Sequence, residues 1–145
     1  SGPQRDPMDD KAILGHPSNV TLVYREILRL IDGRVGWHVA GTFEQVGFDS
    51  PGFAAHILGL TGAMPRSRPE AGDLPTRSRA LLERFPRATE PQPGALSVSP
   101  TGYVLFWFRG YHEPFVIGMT PSGIVALKPD FAEPIGIRRP PYPAR

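Results

Sequence analysis

The chain has 145 residues, 40% of them hydrophobic, which is enough for one domain with a substantial core, and a second domain is not expected. Its 16 basic and 14 acidic residues give a formal net charge of +2, and this slight excess argues against a nucleic-acid partner. There is no cysteine, which excludes a disulfide framework and a thiolate metal site, and no apolar run reaches the roughly 18 residues of a membrane span.

The first part of the chain is predicted to form a polar arm and then an amphipathic helix. Residues 1–17 are polar and contain prolines, as is typical of a loosely attached arm. From Ser18 to Asp32 apolar residues recur at spacings of three and four, and Gly33 follows as a helix stop. One face of this helix is therefore expected to be buried. Its apolar members are Val20, Val23, Tyr24, Ile27, Leu28 and Ile31.

A second helix is predicted from Ser50 to about Leu60. Asp49 or Ser50 suits the N-cap, and Pro51 suits the first helical position. Gly62 suits the C-terminal stop. Unpaired backbone N–H groups and the positive end of the helix dipole favour a thiolate or a developing oxyanion at such a terminus. Ser50 is therefore a candidate nucleophile, with a simple helix cap as the alternative interpretation.

The rest of the chain is predicted to form one more helix and then a sheet. The helix spans Thr76 to Phe85 and follows a loop rich in glycine, proline and arginine. Beyond residue 94, short β-branched and aromatic segments alternate with turn residues, which predicts an antiparallel meander. The predicted strands are Ala95 to Val98, Tyr103 to Arg109, Phe115 to Met119, Ile124 to Leu127 and Ile135 to Arg138. Helices followed by a sheet indicate an α+β domain.

The strand from Tyr103 to Arg109 has apolar residues at successive positions. Alternation of side chains places Leu105 and Trp107 on one face. The same alternation places Phe106 and Phe108 on the other face. Because both faces are apolar, we expect a central strand that is covered on both sides.

Several segments, in order along the chain, have the form of known motifs. Residues 47–53 read Gly-Phe-Asp-Ser-Pro-Gly-Phe, and residues 112–118 read His-Glu-Pro-Phe-Val-Ile-Gly. They resemble Gly-Phe-Asp-Cys-Ser-Gly-Leu/Phe and His-Val-Gly-Ile-Tyr-Ile-Gly of the NlpC-type cell-wall peptidases, a family of papain-like cysteine peptidases. The other segments that are similar to this family are 36–41, 74–78, 92–96 and 135–139.

The resemblance implies a fold and a division of the chain. The fold would be papain-like and NlpC-type, with N-terminal helices packed on a five-stranded antiparallel sheet. The peptidase-like domain would span residues 18–139. The arm at 1–17 would precede it, and a proline-rich tail at 140–145 would cover a sheet edge or contact a partner.

The resemblance also implies a site and a ligand. Ser50 would stand at the nucleophile position and His112 at the general-base position, while Trp37 and Asp49 would contribute to substrate binding. The partner would be a peptidoglycan stem peptide or a protein, in the cell envelope or outside the cell. No cofactor is implied. The histidines lack the paired spacing of a zinc site on one helix, so no metal is expected.

Departures from the family pattern leave three hypotheses for function. Serine is far less acidic than a thiol, Trp37 replaces a tyrosine, and the third polar group of the family falls near Ala126. The first hypothesis is a catalytically impaired domain that keeps a groove for a peptide, peptidoglycan or a partner. The alternative is a genuine stem-peptide endopeptidase or amidase whose cysteine was mutated to Ser50 by design. The third is a serine hydrolase with a Ser50–His112 dyad, for which no orienting residue can be named.

Overall fold

A computed structural model describes residues 19–66, 72–129 and 135–143. The arm predicted at 1–17 lies outside the described residues. Within them are three helices, α1 (Asn19–Asp32), α2 (Ser50–Leu60) and α3 (Leu74–Glu83). The strands are β1 (Thr42–Phe43), β2 (Gly47–Phe48), β3 (Leu96–Val98), β4 (Val104–Arg109), β5 (Pro114–Thr120) and β6 (Gly123–Leu127). In this part of the chain, no helix is both long and apolar enough to cross a membrane.

Helix α1 confirms the first predicted helix but buries a narrower face than expected. Val23, Ile27 and Leu30 are fully buried in the main core, where they follow each other at helical spacing. Leu28 and Ile31, which were predicted to be buried, are 39% and 43% exposed. The prediction was wrong there because the core lies on the Leu30 side of the last turn.

Helix α2 begins and ends as predicted and lies at the centre of the molecule. The side chain of Asp49 accepts a hydrogen bond from the Gly52 amide at 2.8 Å and so caps the helix. Pro51 lies in the first turn, where its missing N–H costs nothing. The helix contacts α1, α3, β4 and β5. This central position buries the first five residues of the helix, Ser50 included.

Helix α3 begins earlier than predicted. Asp73 caps it by accepting a hydrogen bond from the Thr76 amide at 2.8 Å, and Pro75 lies in the first turn. The helix ends at Glu83 rather than Phe85. The predicted loop extends to Pro75, but proline is compatible with a first helical turn.

The main sheet is an antiparallel meander of four strands in the order β3–β4–β5–β6. The predicted fifth strand is not formed. Instead, Arg138 makes a two-bond bridge to Leu96, with both N···O distances 2.8 Å. Gly136 has φ +74, outside the extended region, and beyond it Arg138 bridges Arg87 as well as Leu96, so the pairing with β3 is limited to one residue.

Strand β4 is covered on both faces, as predicted. Phe106 and Phe108 pack in the main core with the helices. Leu105 and Trp107 belong to a second buried cluster on the other face of the sheet. The alternation of apolar residues therefore places β4 in the middle of the domain.

Residues 140–143 of the predicted tail pack against the domain. The Tyr142 hydroxyl donates to the Gly94 carbonyl at 2.7 Å, and Pro140 is buried. Pro143 lies beside Gly62, just after α2. This segment therefore closes over the start of the sheet, while the last two residues lie outside the description.

Candidate functional site

Ser50 lies at the first turn of α2 and is fully buried. Its Oγ accepts a hydrogen bond from the backbone amide of Val104 at 2.7 Å. Val104 is the first residue of β4, so the hydroxyl joins the helix N-terminus to the central strand. Among the described residues, no imidazole or carboxylate is bonded to this hydroxyl.

His112 lies far from Ser50. It is exposed, in the turn between β4 and β5 that follows Arg109. Strand β4 starts beside Ser50 and its five residue steps to Arg109 span about 17 Å. The two predicted catalytic residues therefore lie near opposite ends of β4, and the structure does not bring them together.

Trp37 lies at the Ser50 end of the sheet. It is half-buried, bridges the β2 residue Phe48, and stands edge-to-face with Tyr103 at 6.1 Å between ring centroids. Tyr103 immediately precedes Val104, the partner of Ser50. Sequence reasoning did not predict Tyr103 as a neighbour of the site, because it assigned this residue to the strand from Tyr103 to Arg109 and took the general base from the motif at residues 112–118.

Asp49 is held by interactions within the protein. One carboxylate oxygen caps α2, and the other accepts a 2.6 Å hydrogen bond from Arg77 Nη1. Both side chains of this ion pair are buried. Because both oxygens of Asp49 are engaged, the geometry gives it a structural role, and its contact with a substrate stays a prediction. Arg77 was not singled out, since a lone arginine in a short helix carries no signal of its own.

The turn before α2 explains the second glycine of the 47–53 motif. The Gly41 carbonyl accepts from the Asp49 amide at 3.2 Å and lies directly against Gly52. A Cβ at Gly52 would collide with that carbonyl oxygen and its carbon. The glycine is therefore required by close packing of two backbone segments, with or without catalysis.

A separate ionic network joins three elements on the surface. Arg29 of α1 donates to Glu26 at 2.7 Å and to Glu44, in the turn between β1 and β2, at 2.6 Å. His56 Nε2 of α2 lies 2.6 Å from Glu26 Oε2. Burial raises the pKa of Glu26, but hydrogen bonds from Arg29 and His56 outweigh it and leave the pKa below its usual value.

The same network contains a possible set of metal ligands. Glu26, Glu44 and His56 bring one ligand atom each within 4.8 Å of the others. Arg29 already bonds both carboxylates, and its hydrogen bonds lower the pKa of Glu44. The guanidinium thus supplies the positive charge that a cation would bring, and the arrangement fits a structural ion cluster.

A concave groove of about 360 Å³ lies at the His112 end of the sheet. Pro91, Gln92 and Pro93 line one part of it, and residues 107–114 line the rest. Tyr111 is 61% exposed here, while Arg109 and Glu113 bring charges of opposite sign. A volume of this size, with apolar walls and a few polar groups, is typical of a small ligand site.

No family model matches the sequence, and no curated protein or solved structure is significantly similar to it. The fold defines the class of protein as an α+β domain in which helices pack on one face of an antiparallel meander. Within that class, the function is inferred from two parts of the molecule, the buried turn at Ser50 and the groove at His112.

Proposed function

We propose that this protein is a non-catalytic NlpC-like domain that binds a peptide, with a peptidoglycan stem peptide as the first candidate ligand. The observation that carries the proposal is the hydrogen bond from the Val104 amide to the buried Ser50 hydroxyl, far from His112. Covalent acyl transfer needs a nucleophile and a base within hydrogen-bond reach. Ser50 has no such base among its described partners.

The contacts of Ser50 also support an inactive NlpC-like scaffold. In the family motif a histidine begins the strand beside the nucleophile. The strand that contacts Ser50 is β4, and the residue before it is Tyr103. The strand that His112 precedes is β5, so the predicted general base is not on the strand that contacts Ser50. A hydroxyl in place of the thiol, and a predicted base that does not reach it, together favour a binding function.

The groove at the other end of β4 supports binding of a peptide. Tyr111 and the two prolines, Pro91 and Pro93, offer rigid apolar surface at low cost in conformational entropy. Arg109 can pair with a ligand carboxylate, and Glu113 can pair with a ligand ammonium group. A stem peptide carries both groups, so its charges match those of the groove.

Calorimetric titration with a synthetic stem tetrapeptide tests the proposal. We expect saturable binding to the wild-type protein, and about a tenfold higher Kd for Tyr111→Ala because an exposed aromatic anchor is lost. Leu60→Ala is the matched control, since Leu60 is an exposed apolar residue on a different element, and its Kd should equal that of the wild type.

Absence of binding by the wild-type protein would overturn a stem peptide as the ligand. Equal weakening by Tyr111→Ala and Leu60→Ala would overturn the groove as its site. Hydrogen exchange of the complex gives a second readout, in which protection is expected at residues 109–114 and not in the turn that precedes α2.

A further inference from the structure

Strand β6 is an unusual edge for a sheet. Among the described residues it is the last strand of the meander, with β5 on one side and no strand on the other. Its sequence, Gly-Ile-Val-Ala-Leu, contains no charge and no proline, the devices that normally protect an edge. Ala126 is exposed and Leu127 is 44% exposed. Such an edge is suited to pairing with another strand.

The backbone groups of β6 that point outward can be identified from the hydrogen-bond pattern. The Trp107 amide donates to Ala95, so the odd-numbered residues of β4 face β3 and the even-numbered ones face β5. The strand registers extend this alternation from β4 to β5 and β6. The backbone groups of Gly118 face β6, where its partner is Val125. The amides and carbonyls of Ile124 and Ala126 therefore point away from β5.

These outward groups match those of a second copy of the same strand. In an antiparallel pair centred on Val125, Ile124 of each copy lies opposite Ala126 of the other. Both residues direct their backbone groups across the seam, so four hydrogen bonds form. A two-fold axis through Val125 places the outward groups of each copy opposite those of the other, so a second copy can make all four bonds at once.

The side chains along the seam also fit a second copy. In this register the exposed Leu127 of one copy lies opposite Gly123 of the other, and the space beside Gly123 where a Cβ would project is empty. Lys128, the first charge after the strand, is separated from its counterpart by about 20 Å, so the two do not repel strongly.

We propose that β6 joins two copies of the chain into one continuous eight-stranded sheet. The inference does not depend on the peptide-binding function, because the groove lies at the turn between β4 and β5 and β6 does not line it. The contact consists of a single strand pair, so the dimer is expected to be reversible and to depend on concentration.

Sedimentation equilibrium of charge variants tests the dimer. Val125 lies on the two-fold axis, so Val125→Lys places two lysines directly opposite each other and Val125→Glu places two glutamates there. We expect each variant alone to be monomeric, an equimolar mixture to dimerise, and the wild type to dimerise alone. The uncharged control Val125→Thr, of similar shape, should keep the dimer.

A second variant removes one outward donor from each copy, and so two of the four bonds across the seam, without altering the bonds to β5. In Ala126→Pro the missing amide is one that faces away from β5, and the dimer should be lost while the thermal unfolding midpoint stays that of the monomer. If the wild type is monomeric at all concentrations, the dimer proposal is overturned. The edge would then be expected to pair with an extended peptide of another protein. A Val125→Lys dimer, or no dimer in the charge mixture, overturns the register.

Discussion

The hydroxyl of Ser50 links the first turn of α2 to the first residue of β4. A serine is well suited to this task because its short side chain accepts a hydrogen bond from a buried amide that would otherwise be unpaired. Asp49, its neighbour, caps the helix and pairs with Arg77. At the residue scale, the predicted nucleophile turn is where hydrogen bonds connect α2 to β4 and to α3.

The buried Asp49–Arg77 pair gives a prediction for stability. Arg77→Ala leaves the Asp49 carboxylate buried with one oxygen unpaired, so the free energy of unfolding should fall by about 3–5 kcal/mol. Arg84→Ala, at an exposed position just after the same helix, should change it by less than about 1 kcal/mol. Urea unfolding followed by circular dichroism measures both. A loss for Arg77→Ala no larger than for Arg84→Ala would show that the pair is not stabilising.

At the scale of elements, the network of Glu26, Arg29, Glu44 and His56 attaches the turn between β1 and β2 to two helices. This turn precedes α2, so the network helps to fix the start of the helix. Its contribution depends on an ionised Glu26, whose pKa is lowered in the folded protein.

That lowered pKa predicts how stability changes with pH. A carboxyl group with a lower pKa when folded contributes stability above its unfolded value, near 4.5, and loses it as pH falls through the folded value. Between about pH 6 and about pH 3, the wild type should therefore lose more unfolding free energy than Glu26→Gln. Glu83→Gln, at an exposed position of α3, should follow the wild type. Parallel curves for wild type and Glu26→Gln would contradict this.

The sequence predicted the helices and the meander well because each has a strong local signal. Asp49 and Pro51 identify the start of α2, and the alternation from Val104 to Phe108 identifies β4. The β1–β2 hairpin was missed because strands of two residues show no periodicity. The fifth strand was wrong because the φ of Gly136 and the bridges of Arg138, which limit its pairing with β3 to one residue, depend on the fold around it.

The candidate site was harder to predict than the fold. Ser50, Asp49 and Trp37 lie in one region, but His112, predicted from the match of residues 112–118 to a family motif, lies beyond the far end of β4. The sequence does not tell which strand lies beside Ser50, and the contact between Ser50 and Val104 shows that β4 does. The Asp49–Arg77 pair joins residues 28 positions apart, a contact that no local pattern signals.

At the scale of the whole molecule, three features lie on different parts of one sheet. The turn at Ser50 lies beside the start of β4, and the groove lies at the other end of β4. Strand β6 forms an uncharged edge. This division separates the turn at Ser50 from the two surfaces for which binding is proposed. It also means that the groove and the edge can be altered without disturbing the turn, which keeps their tests independent.

The absence of cysteine allows a direct test of the central claim that position 50 is structural and not a nucleophile. In Ser50→Cys the new thiol is the only one in the chain, so its alkylation by iodoacetamide can be followed from about pH 5 to about pH 9. Thr89→Cys, at an exposed position, is the matched control. We expect Ser50→Cys to react at least about 100-fold more slowly than the control at every pH, because position 50 is fully buried and a structural buried thiol is inert. Alkylation of Ser50→Cys near pH 6 faster than that of Thr89→Cys would reveal an activated thiolate and contradict this account.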